Sequence, residues 1–524
     1  MAPAEDGRAW HPHSVSLRRW LAAAAVLLAA LAVVVLGTFR RYGVVSDEPT
    51  QHAYGLLLDR FYLTGGADVR CLYSWNWHLY GGLFEAPVAW LAARSPLGVH
   101  ATRSLCTAAA GLAGIAGCWH AALGIAGPRA AFLAALILAL IPGYWGQIFI
   151  DSKDVPFAAA CAWALSGLVR LARTRRLLWP AVLTGLATGA ALGVRVGGVI
   201  LLACLGLVLA VRAVRERAWP LVRAFLVAAV VAEVVMLSAW PYALAYPVTG
   251  PVHALRYFAR FNSPFVVVFR GVAESATALP RGYLPLLLGL TLPSPVLLIL
   301  AAGAAVACGR LARRGWSREP AFLPVAAAAS LVLLPVGWAV ASRMPMYNGI
   351  RHALFVVPPI ACLAGVSLDA LLARTRPRAR AALAAILVAA AGWQVSVTAR
   401  LFPYEYMSFN ALAGGVRGAA GRYDLEYWGA SVTEAAARLA NEAPAGPRPW
   451  RVRICGNPGG ADEVLGPRLR IATDHPDYWI AMTSAASGCV LPARSREVLS
   501  VCRMGVPLAR VLDVRSPASS NAKP

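Results

Sequence analysis

Residues 20–48 read WLAAAAVLLAALAVVVLGTFRRYGVVSDE, an apolar run that is followed closely by the acidic pair Asp47-Glu48. The run is long enough to cross a bilayer as a helix. Carboxylates at the boundary of a bilayer are costly to remove from water, so an acidic pair at this place indicates a function. A second acidic cluster, Asp151-Ser152-Lys153-Asp154, follows a later apolar run. The two clusters are expected on the same side of the membrane.

The whole chain has the composition of a polytopic membrane protein. Of its 524 residues, 59% are hydrophobic and only 14% are charged. Its apolar runs predict about eleven transmembrane helices, and therefore an all-α membrane domain. The runs lie near residues 20–38, 101–123, 130–148, 155–171, 178–193, 196–211, 221–240, 283–306, 321–341, 350–372 and 380–399. Residues 178–211 also fit one long helix, and the charge of the turns favours two.

Four arginine clusters indicate the orientation. They lie in residues 173–176, 212–217, 310–318 and 374–380. With two helices in 178–211, all four fall on the side that also carries Arg18 and Arg19. Because basic turns favour the cytoplasm, we expect the N-terminus inside and the C-terminal segment outside the plasma membrane. The net charge of +24 is then mainly a topology signal, and no nucleic-acid partner is expected.

Three segments outside the membrane are long enough to hold structure. Two are loops of a membrane domain over residues 1–400, namely 41–100 and 241–282, and the third follows it at 401–524. This last segment turns polar with Pro and Gly punctuation, which predicts a small extracytoplasmic α/β module with a disordered Ser/Pro-rich tail. One disulfide is expected among Cys455, Cys489 and Cys502, with its pairing open.

The motif around Asp47 has two interpretations. It fits the start of a helix, with Ser46 as N-cap and acidic residues in the first turn. It fits equally a general base at the outer membrane face. His52 follows Glu48 by four residues, so the two would share a helical face. That spacing would allow a divalent metal, although two ligands are few for a metal site.

Lys153 distinguishes the second cluster from an ordinary capped turn. The chain has 49 Lys and Arg residues, and Lys occurs only at 153 and 523. A compact ammonium binds phosphate as a point charge, whereas guanidinium is a wide planar fork. The use of Lys here, in a chain that otherwise uses Arg, indicates a phosphate ligand at position 153.

Further candidate phosphate ligands follow along the chain. Tyr347, Arg351 and His352 fall in a short predicted outer loop, and Arg270 falls in the segment 241–282. Arg195 lies among glycines in an apolar region, where it needs a partner or an aqueous pocket, unless it reaches the interface from a short outer turn. Carboxylates and cations on one face suit a lipid phosphate as leaving group, with a carboxylate to take the proton of an acceptor hydroxyl.

These motifs resemble a known family. The acidic pair after the first span, a second acid after the third, and Lys153-Asp154-Val155-Pro156-Phe157 are similar to the GT-C-fold glycosyltransferases that depend on polyprenyl phosphate. The family is glycosyltransferase family 39, with protein O-mannosyltransferases and aminoarabinose transferases. Residues 351–359 resemble its Arg-aromatic-Pro segment, and residues 403–429 resemble a bacterial subgroup. The resemblance covers the membrane part and about thirty residues beyond it.

The resemblance implies roles for the two acidic clusters. Asp47 would be the catalytic base with Glu48 beside it, and Asp151 or Asp154 would be the second acid. The donor would be a polyprenyl-phosphate sugar, the acceptor a hydroxyl on lipid, glycan or protein, and the anomeric carbon would be inverted. The alternative is a transporter or flippase of a lipid-linked sugar. Transporters typically show matched halves with broken helices and midplane sites, and this chain shows neither pattern.

Overall fold

In a computed structural model, the described residues are 14–214, 216–261, 264–315, 319, 321–484, 487–493 and 495–515. Arg215 and Arg318 of the arginine clusters and the Ser/Pro-rich tail from residue 516 onwards lie outside them.

Helices dominate the first four hundred residues. The first ten are α1 (Ser14–Thr38), α2 (Glu48–Leu63), α3 (Glu85–Ala92), α4 (Val99–Ala126), α5 (Pro128–Ala139), α6 (Pro142–Gln147), α7 (Asp154–Leu171), α8 (Leu178–Leu192), α9 (Val199–Ala213) and α10 (Ala218–Ala239). There follow α11 (Pro241–Ala245), α12 (Thr249–Ala259), β1 (Val266–Phe269), β2 (Val272–Ser275), α13 (Tyr283–Thr291), α14 (Ser294–Arg314), α15 (Phe322–Ser342), α16 (Val357–Arg374) and α17 (Pro377–Leu401).

Nine helices of the described residues are long and apolar enough to cross a membrane. They are α1, α4, α7, α9 with the helical turn Val196–Gly198 that precedes it, α10, α14, α15, α16 and α17. Helices α5 and α8 are apolar but shorter. The prediction of two helices in 178–211 is confirmed, because α8 ends at Leu192 and α9 begins at Val199.

Two predicted spans are interrupted by proline. The span expected at 130–148 is α5 followed by the short helix α6, which begins at Pro142. The span expected at 283–306 is α13 and α14, separated at Leu292–Pro293. Proline lacks an N–H donor and clashes with the preceding helical turn, so it kinks or ends a helix. An apolar run alone does not reveal such a break.

The arginine-rich turns after α7 and α9 lie together at one end of the helix bundle, which we call the arginine end. Arg129 at the start of α5 pairs with Asp369 near the end of α16, which brings the turn after α16 to the same end. Arg212 donates to the carbonyl oxygens of Leu171 and Thr174, which joins the turn after α9 to the turn after α7. Arg173 donates to the carbonyl oxygen of Ile125 at 3.1 Å, which adds the end of α4. These contacts agree with the alternation of up and down helices that the sequence predicts.

The C-terminal segment is a small α/β module, as predicted. Its elements are α18 (Gly415–Ala419), α19 (Ala430–Glu442), β3 (Trp450–Cys455), α20 (Ala461–Val464), β4 (Leu469–Ile471), β5 (Tyr478–Met482), β6 (Arg496–Arg503) and β7 (Val506–Asp513). The strand order is β4-β3-β5-β7-β6, with β3 parallel to both neighbours and β7 antiparallel to β5 and β6. The expected disulfide joins Cys455 to Cys489.

Helix α19 packs the module together and onto the membrane domain. Its apolar residues Val432, Ala435, Ala436 and Leu439 recur at helical spacing and are buried, so one face of the helix covers the sheet. The hydroxyl of Thr433 donates to the carbonyl oxygen of Val44 at 3.1 Å. The module therefore sits beside the segment that leads into Asp47.

Candidate active site

Asp47 is the N-cap residue of α2, and the expectation that Ser46 would take this place was wrong. The Asp47 side chain makes no capping hydrogen bond. Its Oδ2 instead lies 3.0 Å from Lys153 Nζ and 3.4 Å from Arg351 Nη1. Although burial alone would raise it, these two cations hold the pKa of Asp47 well below its ordinary value. Three residues far apart in sequence thus form one cluster of charges.

Lys153 is placed by the start of α7. The Oδ1 of Asp151 accepts from the backbone N–H of Lys153 at 3.3 Å and of Asp154 at 3.0 Å, so Asp151 caps the helix. The Lys153 ammonium lies 4.7 Å from the ring centroid of Trp77 and 5.0 Å from that of Tyr80. The aromatic faces and Asp47 together favour the charged form of this buried lysine, whose pKa stays above its ordinary value despite desolvation.

Arg195 has a partner in the same region. Its Nη2 lies 2.8 Å from Asp154 Oδ1, and its guanidinium lies 5.6 Å from the Tyr80 ring centroid. This approach depends on Gly81, whose N–H donates to the carbonyl oxygen of Val194, because a side chain at Gly81 would collide with the facing backbone. Arg195 therefore has the ion-pair partner that an arginine in an apolar region needs.

Arg351 lies between two aromatic rings. Its guanidinium is 4.8 Å from the Tyr347 ring centroid and 4.6 Å from that of Trp428. The Trp428 indole N–H donates to Gln147 Oε1 at 3.2 Å, which fixes the ring. His352 packs edge-on against Tyr347 at 4.6 Å between ring centroids. Lys153 and Arg351 thus share Asp47 as partner, Tyr347 and His352 extend from Arg351 by ring contacts, and Arg195 shares the Tyr80 ring with Lys153.

Glu48 points into a different polar network. Its carboxylate accepts from His100 Nδ1 at 3.0 Å and lies 3.8 Å from Arg103 Nε. Arg103 also pairs with Glu85 at 2.9 Å. Sequence reasoning missed His100 and Arg103, since both lie at the edge of a predicted span. The only available signal was a basic residue at the start of an apolar run.

Two other predicted residues stand apart from the Asp47 cluster. His52 faces the Glu48 network, and its Nδ1 is buried with no hydrogen-bond partner among the described residues. In the described part of the chain, no group of three or more His, Cys, Asp or Glu side chains is arranged to hold a metal ion. Arg270 lies exposed in the turn between β1 and β2, and the described contacts do not join it to the cluster.

The chain matches no family model and no curated protein. It is similar to the solved structure of ArnT from Cupriavidus metallidurans bound to undecaprenyl phosphate, with a TM-score of 0.52, 18% identity, and 95% of this chain and 99% of that chain covered. It is also similar to the oligosaccharyltransferase AglB from Archaeoglobus fulgidus in complex with an inhibitory peptide and a dolichol-phosphate, with a TM-score of 0.52, 12% identity, and coverage of 88% and 69%. Both neighbours are GT-C glycosyltransferases.

The chain has the GT-C fold. The resemblance that the sequence motifs suggested is confirmed at the level of the fold. Within this GT-C fold, the Asp47 cluster lies at the end of the helix bundle opposite the arginine end.

Proposed function

We propose that the protein is a membrane glycosyltransferase that moves a sugar from a polyprenyl-phosphate donor to an acceptor hydroxyl on lipid, glycan or protein. The observation that carries the proposal is the cluster of Asp47 with Lys153 and Arg351, which pairs a carboxylate with two cations at one end of a GT-C fold. The neighbours bound to undecaprenyl phosphate and dolichol-phosphate support a lipid phosphate as the donor group.

Lys153 and Arg351 would bind the donor phosphate. Both side chains are buried, so a phosphate that meets them is held in a medium of low polarity where its attraction to the cations is strong. Arg195 adds a third cation, and Asp154 orients it at 2.8 Å. We therefore assign the role of second acid to Asp154, and the capping of α7 to Asp151. The three cations stabilise the charge that develops on the leaving phosphate.

Asp47 would act as the general base. The acceptor oxygen attacks the anomeric carbon, the bond from that carbon to the phosphate oxygen breaks, and the phosphate leaves with the electron pair. The hydroxyl proton passes to Asp47. Attack from the side opposite the phosphate inverts the anomeric carbon. Glu48 would have a positioning role. Its contacts with His100 and Arg103 fix the first turn of α2 and thereby hold Asp47 in place.

The reaction would take place at the outer face of a bacterial plasma membrane. The arginine end carries the basic turns that favour the cytoplasm, and the Asp47 cluster and the C-terminal module lie at the other end. The proposed orientation thus has a cytoplasmic N-terminus and an extracytoplasmic module.

Mass spectrometry of envelope lipids, glycans and glycoproteins, in cells with and without the chain, tests the proposal. We expect one glycan, lipid or glycoprotein to lose a sugar without the chain, while the matching polyprenyl-phosphate sugar accumulates. A flippase would give a different result. Without it, the lipid-linked sugar would accumulate only on the cytoplasmic side, and every product would keep its normal mass when the donor is supplied on the outer side.

A further inference from the structure

The two cations proposed to bind the donor phosphate are already occupied. A single oxygen, Asp47 Oδ2, lies within 3.0 Å of Lys153 Nζ and 3.4 Å of Arg351 Nη1. The side chains of Lys153 and Arg351 are only 8% and 3% exposed, whereas that of Asp47 is 27% exposed. The carboxylate therefore covers the cations from the side that is open to an incoming ligand.

This pairing weakens Asp47 as a base. An effective general base has a pKa near the working pH, and the two cations hold the pKa of Asp47 far below that. The other charged groups around the cluster do not relieve the pairing. Arg195 is paired with Asp154, and Asp151 is turned to the backbone of α7. In the free protein the base and the two phosphate ligands are thus paired with each other.

We propose that the donor phosphate and Asp47 compete for Lys153 and Arg351, so that donor binding releases Asp47 to act as the base. The inference rests on the proposed function and adds regulation of the same site. As the phosphate takes the two cations, the carboxylate loses its counter-charges and gains a negative neighbour, and both changes raise its affinity for a proton.

The same competition would favour product release. After transfer, Asp47 carries the acceptor proton and the polyprenyl phosphate holds both cations. When Asp47 gives its proton to water, the carboxylate again attracts Lys153 and Arg351 and displaces the lipid phosphate. Sugar transfer is then limited to the interval in which a donor is bound, and the free site presents no active base to water.

Binding of undecaprenyl phosphate to the purified full chain in nanodiscs tests the competition. We expect Asp47→Asn to bind this lipid about tenfold more tightly than the wild type, although it cannot transfer sugar. Asp47→Glu keeps the charge and should bind like the wild type. Asp59→Asn, which changes another carboxylate of α2, is the matched control and should also bind like the wild type. Equal or weaker binding by Asp47→Asn would overturn the inference.

Removal of a negative charge also lowers simple repulsion of the lipid phosphate, and a double-mutant cycle separates the two effects. If Asp47 competes for Lys153, the gain from Asp47→Asn should shrink several-fold in a Lys153→Met background. An equal gain in lipid affinity in both backgrounds would mean that Asp47 acts only by charge repulsion, and this would contradict competition. Asp47→Ser replaces Asp47→Asn if the latter does not fold. Absence of binding by the wild type would instead contradict the proposed donor.

Discussion

At the scale of single residues, Lys153 is the side chain whose chemistry is most specific. It is a buried ammonium over the rings of Trp77 and Tyr80, and Asp47 is its counter-ion. An arginine would have to place a wider fork in the same space. The preference for lysine at this one position in the membrane domain thus has a geometric reason.

Lys153→Met should weaken donor binding strongly. A buried charge that loses its partner costs roughly 2–5 kcal/mol, so we expect a loss of about 30-fold to several-thousand-fold in affinity for undecaprenyl phosphate. Lys153→Arg should restore only part of it. Arg60→Met, which removes an exposed cation from α2, is the control. Wild-type binding by Lys153→Met would show that the lysine is not a phosphate ligand.

Trp428 is a second residue with a testable role, because its ring covers Arg351 at 4.6 Å. Trp428→Leu removes the cation–π contact, and we expect donor affinity to fall roughly 2- to 30-fold. Trp428→Phe keeps a ring face and should lose less. Trp393 also carries an arginine on its ring, at 5.2 Å, but it is exposed on α17. Trp393→Leu should therefore leave lipid binding unchanged, and an equal loss in both leucine variants would contradict the role of Trp428.

At the scale of elements, the hairpin β1–β2 is tied to the segment that leads into the C-terminal sheet. Both carboxylate oxygens of Asp424 accept from the backbone N–H of Val268 at 3.2 Å. Burial raises the pKa of Asp424 to about 7, although the hydrogen bonds from Val268 and Ser484 oppose the rise. The hairpin is thus anchored by hydrogen bonds to a carboxyl group that is costly to ionise.

The raised pKa makes stability depend on pH. Between the unfolded pKa of Asp424 and about 7, the folded chain keeps a proton that the unfolded chain releases, so the stabilisation is present at low pH and is lost as pH rises to about 7. Asp424→Asn should therefore raise Tm more at pH 8 than at pH 5. Asp462→Asn changes an exposed carboxylate and serves as control. Equal changes at both pH values would contradict this account of Asp424.

The elements also show where sequence reasoning works and where it stops. Apolar runs and arginine clusters predicted which turns share an end of the bundle, and this sufficed to place Asp47, Lys153 and Arg351 at the same end. Periodicity did not reveal the breaks at Pro142 and Pro293, because a break changes the helix but not its hydropathy.

Which side chains pair with each other was less predictable than the end of the bundle at which they lie. Adjacent residues of a helix start point in different directions, so Asp47 and Glu48 enter separate networks despite their adjacency. Which of them meets the cations depends on how α2 packs in the bundle, mainly against α3, and a pattern of residue types does not contain that information. The exposed position of Arg270 has the same cause, since a basic residue in a loop has no sequence signal for its direction.

At the scale of the whole molecule, the orientation in the membrane decides whether the site meets an external acceptor. Single cysteines at Arg175 and Arg376 test the arginine end, and single cysteines at Ala67 and Ala445 test the opposite end. All four positions are exposed. In a background without the eight free cysteines, which keeps the Cys455–Cys489 disulfide, we expect the last two to react in intact cells and the first two only after permeabilisation. Protection of Ala445 in intact cells would reverse the proposed orientation.

The central claim is that Asp47 deprotonates an acceptor while a sugar leaves a polyprenyl phosphate. The most direct measurement is transfer of labelled sugar by the purified chain. The donor lipid is extracted from labelled cells that lack this protein, and a membrane extract supplies the acceptor. The wild type should move label from the lipid-phosphate fraction to the acceptor, Asp47→Asn should be about 10²–10⁴-fold slower, and Asp59→Asn should match the wild type. Label that stays on the lipid phosphate with wild-type protein, or transfer by Asp47→Asn at the wild-type rate, would contradict the account.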